Sequence, residues 1–175
     1  IQNLYLQQKE MFDSRTRRCD DWIVSIHQPH VRPIIRGKQN KPVEFGAKLG
    51  VSLSGDGVAC VDHLSWDAYH EGHDLPDQVE AYRHRHGHYP EKVLADPLYG
   101  TRDNRKFLKE KGIEFAGKPL GRPPKVTSAE SNISRRQRKQ DYLDRIPIEG
   151  KFGQGKNGYD LNYIRARTAK TSEGW

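Results

Sequence analysis

Between Val43 and Gly117 the sequence alternates short branched runs with helix-spaced segments, and nearly every join carries Gly or Pro. Such punctuation forbids long uninterrupted elements and leaves a chain of short strands and helices. VEFGAKLGVSL and GVACVDHLSW flank Ser54, Gly55, Asp56 and Gly57, which predicts a hairpin with glycines free to take positive φ. Asp74 can cap a helix starting at Leu75, with Pro76 tolerated in its first turn, Asp77 at its third position and Gly87 ending it. Leu75, Val79 and Tyr82 share one face of that helix. KVLAD reads as a short buried strand ending in a carboxylate, TRDNRKFLKEKG as a helix stopped at Gly112, and IEFAG as another strand. Upstream, IQNLYLQQKEMF puts Ile1, Leu4, Tyr5, Met11 and Phe12 on one helical face interrupted by Gln8. WIVSIHQPHVRPII predicts an extended strand that Pro29 and Pro33 break or hold at an edge. The order is that of a mixed α/β domain.

A chain of 175 residues with 34% hydrophobic content can bury one ordinary core. Thirty Lys and Arg against 23 Asp and Glu give a net charge of +7, which favours a polyanionic partner and also fits a merely soluble basic surface. Cys19 and Cys60 are too few for a disulfide framework or a zinc cage. With no secretory signal and no apolar run of spanning length, a soluble intracellular protein without a membrane is expected. Opening on Ile1 and ending just after a basic, helix-like run, the chain reads as a piece of a longer protein. Residues 1–20 are expected to be a helical linker at the end of a missing N-terminal region, and 21–175 the main domain. Within it, 117–140 holds seven basic residues, one acid and few aliphatics, the pattern of a flexible basic insertion. Its RRQRK run suits either DNA phosphates or solvent, and the net charge favours DNA.

Asp96 closes its strand, where functional groups collect in open α/β sheets, although an Asp before Pro97 also suits a turn. Downstream, YLDRIPIEGKFGQGK sets Tyr142, Arg145, Glu149 and Lys156 at offsets 0, 3, 7 and 14, close to whole helical turns. Pro147 and three glycines in the same run argue against one continuous helix. A helix beginning at Pro147 accommodates the proline and puts Glu149 in a first turn, with Tyr142 and Arg145 approaching from the preceding segment. Alternatively, the four are a surface ion-pair cluster. His70 and His73, or His84, His86 and His88, read as a solvated run at a helix end rather than zinc ligands.

The pattern Tyr142-x2-Arg145-x3-Glu149-x6-Lys156 resembles the Y-R-E-K signature of the DDE-domain transposases of bacterial insertion sequences, and VLADPLYGTRDN resembles that family's second-Asp segment. The likeness runs from about Gln7 to Arg167. It implies an RNase H-like α/β fold, a mixed sheet flanked by helices, with Asp96 as the second metal-binding carboxylate and Glu149 as the third. It also implies Mg2+, with Mn2+ as a substitute, and DNA contacts from Tyr142, Arg145 and Lys156. Clustered acids are what phosphoryl transfer needs, because they hold the metal ions that steady the attacking and leaving oxygens.

The first carboxylate fits less well, since the first-strand position falls nearest Gln28, a poor ligand for a hard cation. Asp21 is the substitute candidate, Asp67 its alternative, and a residue upstream of Ile1 a third option. Asp56 is assigned to the hairpin turn. The implied activity is metal-dependent cleavage and transfer of DNA strands at insertion-sequence ends. The alternatives are a truncated remnant that only binds DNA, and a nuclease of similar fold that cuts but never joins. The implied partners are double-stranded transposon-end and target DNA and a second copy in a homodimer, in the nucleoid of a bacterial cytoplasm.

Overall fold

The computed structural model describes residues 1–35, 43–118, 120–121 and 128–174, and side chains in 128–132 are not described. The chain divides into two compact units, one of residues 1–49, 63–69 and 160–175 and the other of 50–62 and 70–159. Helices and strands mix as the punctuation predicts, but among the described residues the strands pair two by two, in three small sheets.

In the first unit, α1 (Gln2–Asp13) is tied down by Gln7, whose amide donates to the Asp21 carbonyl at 3.1 Å and accepts from Ile23 N at 3.0 Å. Of the expected strand over 22–35, only β1 (Arg32–Ile35) forms, pairing antiparallel with β2 (Val43–Gly46). Pro33 stands opposite Phe45 in this two-stranded ribbon, where every strand is an edge and a missing N–H is tolerated. The stretch before β1 is held by side chains instead. Gln28 donates to the Ala166 carbonyl at 2.9 Å, and His30 lies edge-on to Trp66, ring centroids 4.4 Å apart.

β3 (Lys48–Leu53) and β4 (Ala59–Ser65) form the expected hairpin. At its tip Gly57 takes φ +81°, and Asp56 accepts from Ser54 Oγ at 2.5 Å and Val58 N at 3.2 Å. Those two hydrogen bonds, the Ser54 one foremost, lower the Asp56 pKa, so Asp56 serves the turn as expected.

In the second unit, α2 (Leu75–His86), β5 (Lys92–Leu94), α3 (Arg102–Glu110) and β6 (Glu114–Ala116) follow in sequence, and β5 pairs parallel with β6, Val93 opposite Phe115. Asp74 stands at the N-cap of α2 but makes no side-chain cap bond, because a 3-10 turn over Glu71–Asp74 runs straight into the helix. Thr101 caps α3 by accepting from Asn104 N at 3.2 Å. Leu75, Val79, Leu108 and Ile113 form the buried cluster, with Tyr89, Val93, Tyr99, Phe107 and Phe115 packed around it. Buried Asn104 donates to the carbonyls of Gly72 at 2.6 Å and Tyr99 at 2.8 Å, which pins the segment after β5 to α3. A Cβ on Gly72 would lie 2.8 Å from the Leu98 carbonyl oxygen, so only glycine admits this approach.

α4 (Ser128–Gly158) corrects two expectations. Residues 128–140 are its first turns rather than a flexible insertion, while 119 and 122–127 lie outside the described residues. Pro147 lies inside the helix rather than starting it, so Glu149 is not in a first turn. The proline forfeits the bond its N–H would give the Leu143 carbonyl, but both residues are exposed and water can serve that oxygen. The last helix, α5 (Ala169–Gly174), belongs to the first unit. Among the described residues no helix is long and apolar enough to cross a membrane.

Candidate active site

Asp96 stands two residues beyond β5, with extended backbone (φ −61°, ψ 152°), and its carbonyl accepts from Tyr99 N at 2.9 Å. This is the position after a strand end that the sequence suggested. Lys92 on β5 reaches Asp141 of α4 at 2.6 Å and Glu114 of β6 at 3.2 Å, so one ammonium ties the helix to both strands. Burial works against the charged Lys92, but the bonds to Asp141 and Glu114 outweigh it and raise its pKa. Burial likewise opposes charge on Asp141, and hydrogen bonds from Lys92 and Gln137 overcome it, lowering its pKa.

One turn further along α4, Arg145 ion-pairs with the Asp96 carboxylate through Nη1 and with Glu149 through Nη2, the latter at 3.0 Å. A single guanidinium therefore bridges the two acids that the sequence singled out. Its side chain is 24% exposed, against 59% for Asp96 and 58% for Glu149, so the acids keep an open side toward solvent. The guanidinium carbon also lies 5.8 Å from the centroid of the Tyr142 ring. Because α4 is continuous, Tyr142, Arg145, Glu149 and Lys156 fall on one helical stripe, as their offsets suggested before Pro147 argued otherwise. Added Cβ atoms at Gly150 and Gly153 would meet nothing within 4 Å, so the protein's own packing does not demand glycine there.

Tyr99, three residues past Asp96, is the most perturbed titrating group near this segment. Burial, then the charges of Glu71 and Asp74, push its pKa up to about 12, which marks it as a packed core phenol.

Asp21 lies in the first unit at positive φ (49°), in a turn whose carbonyl takes the Gln7 amide. Asp67, also in the first unit, serves a turn in which its N–H donates to Ser65 Oγ at 3.1 Å. Gln28, nearest the expected first-acid position, is not on a strand and spends its amide on backbone carbonyls. Among the described residues no three His, Cys, Asp or Glu side chains converge as a metal cage, and the His70 and His73 rings simply pack together, centroids 4.9 Å apart.

Sequence reasoning missed Asp62 on β4. Its side chain is only 3% exposed, it pairs with Arg85 of α2 at 2.8 Å, and among the described residues its buried Oδ2 has no hydrogen-bond partner. Arg85 also donates to Ser52 Oγ on β3 at 3.0 Å, fixing helix and hairpin together. The available signal was an acid at an inward position of an alternating strand, which ACVDHLS contains.

Residues 93–175 match the family model described as a transposase DDE domain. The matched segment contains Asp96, Tyr142, Arg145, Glu149 and Lys156, and it excludes Asp21 and Asp67. No curated protein and no solved structure matches the chain significantly.

Proposed function

We propose that this chain, which matches a transposase DDE domain over residues 93–175, cleaves and transfers DNA strands at the ends of an insertion sequence, with Asp96 and Glu149 as its metal-binding acids. The observation that carries this reading is the guanidinium of Arg145 held between those two carboxylates. Two acids drawn this close repel unless a cation lies among them, and one cation can exchange for another. The donor set fits a hard divalent ion. Mg2+ commonly takes one or two carboxylates and completes its shell with water and phosphate oxygens, which two half-exposed acids allow. When bound there, Mg2+ or Mn2+ would polarise the scissile phosphate and stabilise the attacking and leaving oxygens.

The other residues follow from charge and shape. Arg145 is placed to leave the acids for a DNA phosphate, which offers the same bidentate oxygen geometry. Lys156 supplies a point charge further along the stripe, and Tyr142 offers a face to a sugar or an unstacked base. Gly150 and Gly153 leave room for backbone to approach DNA. The inferred fold is RNase H-like, supported by the order of hairpin, helix, strand, helix, strand and site helix. Asp21 remains the proposed third acid. Double-stranded DNA in the bacterial nucleoid is the proposed partner, and pairing of two transposon ends calls for a homodimer.

A second reading, a remnant that binds DNA without cutting it, draws on the two-acid site and on Gln28 being committed to backbone. Incubation with duplex DNA bearing the terminal repeat separates the two. The enzyme reading expects strand cleavage with Mg2+, none with EDTA, and joined products when target DNA is added. Salt-sensitive binding without cleavage at any Mg2+ concentration overturns it in favour of the remnant, and cleavage without joining favours a nuclease.

A further inference from the structure

Resting on the DNA-acting reading above, we propose that the N-terminal half of α4 is a second phosphate-binding track, formed by Arg135 and Arg138 in line with the candidate active site. Arg135, Arg138, Tyr142, Arg145, Glu149 and Lys156 are separated by 3, 4, 3, 4 and 7 residues on one helix, so they share a single stripe. At 1.5 Å per residue, Arg138 and Arg135 stand roughly 10 and 15 Å up the axis from Arg145. With one phosphate per 3.4 Å of strand rise, that places them about three to five nucleotides from the acids.

Residues 133–140 are exposed all round, so this half of the helix is not shaped by a core beneath it. The neighbouring acids are committed elsewhere. Asp141 is held by Lys92 and Gln137, and Asp144 accepts from Gln140 at 2.7 Å. Among the described residues Arg138 bonds to Ser134 one turn back, at 3.0 Å to its carbonyl and 3.2 Å to its hydroxyl, which points the guanidinium along the helix surface. Among the described residues, no carboxylate pairs with Arg135 or Arg138. At 100° per residue, and measured from the middle of the stripe set by Tyr142, Arg145, Glu149 and Lys156, Arg138 and Arg135 lie about 10° and 50° away, whereas Lys139 and Arg136 of the same basic run lie about 90° and 150° away. Charge alone treats all four alike, whereas the helix sets Arg138 and Arg135 nearer the site stripe than Lys139 and Arg136.

That separation supplies the experiment. The Arg135→Gln/Arg138→Gln and Arg136→Gln/Lys139→Gln double variants each remove two positive charges from exposed positions, and thermal melts check that both remain folded. Affinity for terminal-repeat duplex is measured by fluorescence anisotropy across a salt series. The stripe variant is expected to flatten the slope of log K against log salt by about 1.8, some 0.9 per lost phosphate contact, while the Arg136→Gln/Lys139→Gln variant keeps the parental slope. Equal slopes in the two variants, whether both flattened or both unchanged, overturn the track. If the parent itself binds no DNA, the functional reading beneath it fails as well, and if the parent binds and cuts, only the track is lost.

Discussion

Asp96→Asn and Glu149→Gln are each expected to lower Mg2+-dependent strand cleavage by on the order of 10^3-fold, about 4 kcal/mol of barrier at 1.36 kcal/mol per decade. Each swap keeps the side-chain volume and removes the anionic oxygen that a hard cation requires. The fold should tolerate both changes, because each carboxylate is more than half exposed and Arg145 retains the other acid as partner. DNA affinity should hold or rise, since each variant makes the site one charge more positive. Single-turnover cleavage at saturating DNA, beside anisotropy binding, reads both quantities. Cleavage within a fewfold of the parent in both variants would sink the assignment of these two acids.

Leu108→Ala is expected to destabilise the protein by roughly 2–5 kcal/mol, the range for emptying a fully buried leucine site. Leu108 is 1% exposed and sits in the buried cluster of its unit with Leu75, Val79 and Ile113, so truncating it empties the middle of that cluster. Against a typical total of about 5–15 kcal/mol, that loss removes much of the stability. Leu143→Ala, on the exposed side of α4, should cost under about 0.5 kcal/mol. Urea denaturation curves give both values. A Leu108→Ala change below about 1 kcal/mol would mean that this cluster does not hold its unit together.

The parts of the fold legible in the sequence are those that local chemistry decides. Gly57 and Asp56 announced the hairpin tip, Pro76 and Gly87 bounded α2, and Gly112 stopped α3. α4 was not legible, and the reasons are physical. Pro147 and the glycines after it cost helix propensity, which tertiary ties through Lys92–Asp141 and Arg145–Asp96 override. Residues 133–140 carry no apolar stripe to detect, being exposed on every side, and this stretch is knit by contacts four residues apart at Ser134–Arg138, Gln137–Asp141 and Gln140–Asp144.

The candidate site shows the same division. Asp96 could be placed from its strand end, and the spacing of Tyr142, Arg145, Glu149 and Lys156 by itself describes a stripe, which Pro147 inside the helix does not interrupt. What no periodicity could foretell was that one guanidinium would join Asp96 to Glu149 across 53 positions of sequence. The Asp62–Arg85 pair, its carboxylate buried, is likewise set by partners 23 residues apart on different elements.

Metal binding at Asp96 and Glu149 is tested most directly by titrating Mn2+ into the protein with terminal-repeat DNA present and following the free ion by electron paramagnetic resonance. The parent chain should take up Mn2+, and the Asp96→Asn/Glu149→Gln double variant should lose that uptake while still binding DNA. Equal Mn2+ uptake by both proteins would contradict a metal site at these two carboxylates.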